Sequence, residues 1–483
     1  MNALQSPILW FVVVGLALVA TIALIKKRNS SDWGFKDVVK NPGYWEGVSH
    51  AQKAEAAAVQ STKNWSDEKV ASVTRQYVLE ATSSRDASDE AGMLRALGER
   101  THPTVLELLR DSGLYARLVK PTAKNLLQEA PFNRVCDLLG DAPPSAAVEA
   151  LAPFLNDASE EVRKDTALAI AKTGASSIGA HVRKAFSDAD EYVRSYALMG
   201  LEFALNRSGL AGNLPYELFP DVVALLREGK NADKAADILF RFDNERAKEF
   251  FLSQEVFTPD SPILHEVLET LGNGKVPMPR ERLLGLIAAL EAKEMKYPRT
   301  YALGAALRLL GQQQREEDRD FLRVRTTHLE QRVAQGAASG LLCSLGLDGF
   351  EQRIWGTEKR SGYKALSGHQ RLYSAVFMCD AEINNGGLAQ YFVNSSADHW
   401  RDAVAGLKAM GFKERLGVLN EAIAMFGADG PSTDRSIRQN QLSKLYKRDD
   451  SIFEHLDSLY YKSSEVVGVL TARFVIANPE SFR

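Results

Sequence analysis

A seven-residue segment of this chain recurs after a fixed interval with five positions unchanged, and that interval limits the fold more than any other feature. Asp157-Ala-Ser-Glu-Glu-Val-Arg163 returns as Asp188-Ala-Asp-Glu-Tyr-Val-Arg194, 31 residues later. Aspartate, alanine, glutamate, valine and arginine all keep their places. The residues after each copy keep helical spacing too: Val162, Thr166 and Ile170 share one face, as do Val193, Ala197 and Leu201. A period of this length holds two helices and their turns, and a helix pair cannot bury its apolar face alone. Neighbouring pairs must stack into a continuous core, which predicts an α-solenoid over residues 91–349. Weaker copies run through Asp221–Phe242, Leu283–Leu310 and Val333–Leu345. Alternating β-branched runs are almost absent there, so the fold class is all-α.

The repeated segments resemble the HEAT-like repeat family, whose shorter members use this aspartate turn and Val-Arg helix start. That resemblance implies an extended binding surface with no chemistry of its own. Arg163 and Arg194 are expected to pair with neighbouring acids or to cap carbonyls between repeats. Ligand binding along an inner ridge is their other possible use.

The beginning of the chain has a different character. Ile8 to Ile25 is apolar apart from Gly15 and Thr21, and Lys26-Lys27-Arg28 comes directly after it. As a helix it would span about 27 Å, close to a bilayer core. Met1 to Pro7 has no Lys or Arg, so the basic cluster predicts a single transmembrane helix with the C-terminal bulk in the cytoplasm. The expected setting is a bacterial inner membrane, with residues 1–28 as anchor and 29–90 as juxtamembrane linker and helices.

A second landmark lies near the other end. Asp380-Ala-Glu-Ile-Asn-Asn-Gly-Gly-Leu-Ala-Gln-Tyr-Phe-Val-Asn-Ser-Ser396 joins two helical runs through a double Asn and a double Gly. Gly386 and Gly387 can adopt the left-handed backbone that ends one helix and starts another. Leu388, Tyr391 and Phe392 are spaced to bury together, while Glu382, Asn385, Gln390, Asn394 and Ser395 surround the corner with polar groups. Such groups must be satisfied by one another, by backbone or by a ligand. Knitting two helices is the first role expected of them. The second is binding, with exposed amides near Gly387 taking an anionic or acidic-peptide ligand and Gln390 and Asn394 orienting it.

These residues resemble the signature of the DNA mimic protein 19 family, through Glu382-x-x-Asn385-Gly386-Gly387-x-x-Gln390-Tyr391-Phe392-x-Asn394-Ser395. The resemblance covers about Gly362 to Phe482 and implies a C-terminal helical domain, residues 350–483. By that resemblance the candidate binding residues are Glu382, Asn385, Gly386, Gly387, Gln390, Tyr391, Asn394 and Ser395. The family name further implies a regulator that occupies the DNA site of another protein. A mimic needs rows of carboxylates standing in for phosphates, and Glu351 to Arg483 holds 16 acidic against 17 basic residues.

Other chemistries find little support. There is no phosphate-cradling Gly loop and no His-Glu-x-x-His, and the eight histidines are scattered. His399 beside Asp398 lacks a third ligand at usable spacing. Cys136, Cys343 and Cys379 read as free thiols in a reducing compartment. Asp380 and Glu382, two apart on a helix, point to opposite sides and make a poor acid/base pair. No cofactor or metal is expected. A net charge of −3 argues against direct nucleic-acid binding. The expected function is a membrane-anchored cytoplasmic scaffold that binds other proteins and is not an enzyme. The alternatives are DNA mimicry and an enzyme using the Asn-Gly-Gly corner.

Overall fold

The computed structural model describes residues 62–80, 93–94, 97–110, 131–141, 146–207 and 209–483. Every regular element among them is helical, and they belong to two compact units, Ser49–Gly274 and Lys275–Arg483.

In the first unit the helices are α1 (Asp67–Glu80), α2 (His102–Arg110), α3 (Pro131–Asp141), α4 (Ala147–Leu151), α5 (Glu160–Thr173) and α6 (Gly179–Phe186). They continue as α7 (Glu191–Arg207), α8 (Leu214–Arg227), α9 (Ala232–Phe242), α10 (Asn244–Phe251) and α11 (Leu264–Asn273). Helices α3, α5, α7, α9 and α11 pack in a row, while α4 with its following 3₁₀ turn, α6 and α8 make a second row against it. Val162, Thr166, Ile170, Val193, Ala197 and Leu201 are all buried, so the face read from the repeat is the face that packs. At the tightest crossing, a Cβ on Gly200 would lie 2.5 Å from the Leu168 carbonyl, and only glycine lets α7 approach α5 so closely.

The turns before α5 and α7 have one design. The carboxylate of Asp157 accepts from the Ser159 amide (2.8 Å), and that of Asp188 accepts from the Asp190 amide (2.9 Å). Arg163 donates back to the Asp157 carbonyl, as Arg194 does to the Asp188 carbonyl. The arginines therefore serve the stack itself, bridging each turn to its own helix.

The second unit opens with α12 (Arg280–Glu291), α13 (Arg299–Gln312), α14 (Arg319–Arg325) and α15 (Gln331–Ser344). Here α13 and α15 pack side by side, with α12 on α13 and α14 on α15. Before α15 the turn design returns in altered form: His328 Nδ1 accepts from the Glu330 amide (3.0 Å), where the earlier copies use aspartate. The chain then forms α16 (Phe350–Ser361), α17 (Gly368–Val393), α18 (Trp400–Met410), α19 (Glu414–Ala424), α20 (Arg435–Arg448), α21 (Glu454–Tyr461) and α22 (Val467–Ala477). Helix α15 faces α13 through Gly336 and Gly340 and meets Gly468 of α22 through Gln335. The C-terminal helices thus continue the row begun by α13 and α15. Arg473 of α22 strengthens that junction by donating to the Thr326 carbonyl (2.7 Å).

One expectation is corrected. Among the described residues no helix is long and apolar enough to cross a membrane. The expected span Ile8–Ile25 and the Lys26-Lys27-Arg28 stop lie outside the described residues. The all-helical class holds, whereas the transmembrane anchor and the single-pass inner-membrane location drawn from it are not supported.

Candidate functional site

Helix α17 is continuous in its packing but broken in its backbone. Gly386 has φ −158° and Gly387 has φ 81° with ψ −178°, so the chain leaves the helix after Asn385 and re-enters it at Leu388. A Cβ on Gly387 would sit 2.6 Å from Asp457 Oδ2, and one on Gly386 would sit 2.1 Å from Gln390 Oε1. Positive φ and the lack of room both demand glycine at 387, while at 386 the crowding comes from the Gln390 side chain alone.

Glu382 is the hub of the corner. Its Oε2 accepts from Gln390 Nε2 and Asn394 Nδ2, each at 2.8 Å, and its Oε1 accepts from Ser396 Oγ at 3.1 Å. One carboxylate thus ties the helix before the break to the helix after it and to the turn beyond. Charge-assisted bonds of this kind are stronger than neutral ones.

Asp457, on α21, takes the position expected for an anionic ligand. Its Oδ1 accepts from the Leu388 amide at 2.8 Å, at the start of the second helical segment. Burial pushes its pKa up to about 6, against the lowering effect of that amide, and Glu454 raises it further. The amide read from sequence as open to a ligand is therefore satisfied by the chain's own carboxylate.

Asp380 points elsewhere, to Arg415 and to Tyr460 Oη (2.9 Å). The opposed directions of Asp380 and Glu382 reflect their spacing on the helix.

Arg438 is fully buried and finishes the segment at its other end. It donates to the carbonyls of Phe392 (2.7 Å), Asn394 (2.8 Å) and Ser432 (2.6 Å) and to Asp398 Oδ1 (2.6 Å). Gln439 and Arg435 both donate to the Val393 carbonyl. The orphan carbonyls of a helix end are thus met by side chains of α20, with one acid balancing the buried charge.

The remaining candidates have distinct surroundings. Gln390 is buried, and the Tyr391 ring is wholly buried beside the Cys379 thiol; burial raises the pKa of both the phenol and the thiol. Asn385 is half-buried, and its Oδ1 has no hydrogen-bond partner among the described residues. Ser395 is exposed, and Ser396 is the serine that reaches Glu382. Leu388, Tyr391 and Phe392 bury together, with the Phe392 ring 4.7 Å from that of Phe426. His399 stacks on Tyr363 at 3.6 Å, and burial lowers its pKa. Arg438, Asp457 and Arg415 carry this site and were missed from sequence. The signal for Arg438 was its pairing with Arg435 on a helix that otherwise reads as surface, and nothing local marked Asp457 or Arg415.

Fold and corner together define a class: stacked helix pairs continued by a helical domain whose polar corner is internally bonded. Residues 364–478 match the family model described as DMP19-like protein. No HEAT-repeat family model matches the helices before it. No curated protein and no solved structure matches the chain.

Proposed function

We propose that this chain is a protein-interaction scaffold whose stacked helices and DMP19-like domain present surfaces to protein partners. The observation that carries the reading is a group of large apolar side chains left in solvent in the second unit. Leu329 is 97 % exposed, Tyr297 72 % and Val324 71 %. Val324 lies in the last turn of α14, and Leu329 lies in the bend between α14 and α15. Tyr297 stacks edge-on to Tyr301, over which the Arg332 guanidinium lies. Tyrosine and arginine are enriched at interface centres, and the exposed apolar side chains add area that a partner can bury.

DNA mimicry is the other use that the family name suggests. It asks for free carboxylates in rows, whereas Asp380, Glu382, Asp398, Asp457 and Glu465 are bonded within the domain. The scaffold reading is favoured on that ground.

The test uses the whole chain as bait in its native lysate, against Leu329→Asp and Val324→Asp. Both sites are exposed, so melting temperatures should stay within about 2 °C of the parent. A specific protein captured by the parent and lost from both variants supports the reading. Identical captures from all three baits would remove it.

A further inference from the structure

A cavity of about 510 Å³ lies between the C-terminal ends of α13 and α15 and the segment Lys275–Met278, and none of its lining belongs to the Glu382 corner. The volume is that of a site for a small molecule, which typically measures roughly 300–1,000 Å³. Val276, Met278 and Leu309 supply apolar side chains to a lining that is otherwise mostly polar, and each is buried. Its walls are pinned by the triplet Gln312-Gln313-Gln314. Gln313 Nε2 donates to the Met278 carbonyl (2.7 Å), and Gln314 Nε2 donates to the Cys343 carbonyl (3.2 Å).

Both signs of charge stand on the rim. Lys275 and Arg315 are cationic and Asp348 is anionic. Lys275 Nζ lies 3.8 Å from Asp348 Oδ2, with the lysine mostly and the aspartate partly in solvent, so this loose pair separates at little cost.

The backbone supplies an independent observation. Among the described residues three that are not glycine have positive φ, and two of them line this cavity: Lys275 at 50° and Gln314 at 56°. Side chains other than glycine, asparagine and aspartate rarely hold that conformation unless their surroundings enforce it, and such residues gather at ligand clamps.

We propose that this cavity binds an α-amino acid with an apolar side chain. Its carboxylate meets Lys275 and Arg315, its ammonium meets Asp348, and its side chain lies on Val276, Met278 and Leu309. A ligand of one sign would leave the opposite rim charge without a counterpart, and a wholly apolar one would desolvate both.

Calorimetric titration of the full chain with L-leucine and L-methionine tests the assignment. Two truncated probes accompany them: 4-methylpentanoate, which lacks the amine, and 3-methylbutylamine, which lacks the carboxylate. At least one amino acid should bind, and both truncated probes should bind at least tenfold more weakly. Asp348→Asn and Lys275→Gln should each weaken amino-acid binding at least tenfold. Lys275 is 79 % exposed, so the second variant tests the site even if the first disturbs the fold. Failure of both amino acids to bind, equal binding of either truncated probe, or undiminished binding by Lys275→Gln would overturn the proposal.

Discussion

Arg163 forks onto Asp188, with Nε 2.8 Å from Oδ2 and Nη2 3.1 Å from Oδ1, so the arginine of one repeat grips the aspartate that opens the next. The same aspartate forms its own turn through the Asp190 amide. Although burial acts to raise its pKa, bonds from Arg163 and that amide hold Asp188 below the usual carboxylate range. A single side chain thus sets both the turn and the spacing between repeats.

That grip should be measurable as coupling. Arg163→Ala and Asp188→Ala are each expected to lower the stability of the full chain by about 1–3 kcal/mol. In a double-mutant cycle by urea denaturation, the pair should lose clearly less than the sum of the singles. Additive losses would mean that the fork contributes nothing beyond its separate parts.

The Glu382 corner should respond as a structural knot. Glu382→Ala strands the amides of Gln390 and Asn394 and the Ser396 hydroxyl, at an expected cost of about 2–4 kcal/mol. Glu382→Gln keeps the shape but replaces one acceptor oxygen by a donor, so it should cost less than the alanine variant and still destabilise. Thermal melting of both variants checks the order. If both melt with the parent, the corner does not hold α17 together.

Asp457 makes stability depend on pH in an unusual direction for a carboxylate. Its folded pKa, about 6, lies above the ordinary value, so the folded state keeps a proton that the unfolded chain releases. The contribution is complete below the ordinary carboxylate range and is lost as pH rises through about 6. Asp457→Asn cannot ionise and still offers an oxygen to the Leu388 amide. Its melting temperature should exceed that of the parent at about pH 7.5, with the gap closing towards about pH 4. A gap of the same size at both values would show that folding does not raise the pKa of Asp457.

The repeat and the helix break were open to reading because they depend on neighbours in sequence. Helical spacing assigns Val162 and Val193 to the same inner face whatever packs against it, and Gly386-Gly387 interrupts a helix through local backbone geometry. The separate directions of Asp380 and Glu382 come from helix geometry in the same way. Tertiary structure decided which polar groups answer one another across long stretches of chain. Arg438 is 44 residues from the Asn394 carbonyl it caps, and Asp457 is 69 residues from the Leu388 amide it accepts from. In sequence, Arg438 lies among the polar residues of a helix that looks solvated, and nothing local distinguishes a buried arginine from an exposed one. Asp457 likewise became the anion at the second start of α17 only when α21 packed against it. Local backbone preferences determine where helices begin, end and break, whereas the partner that satisfies a buried charge is chosen by packing.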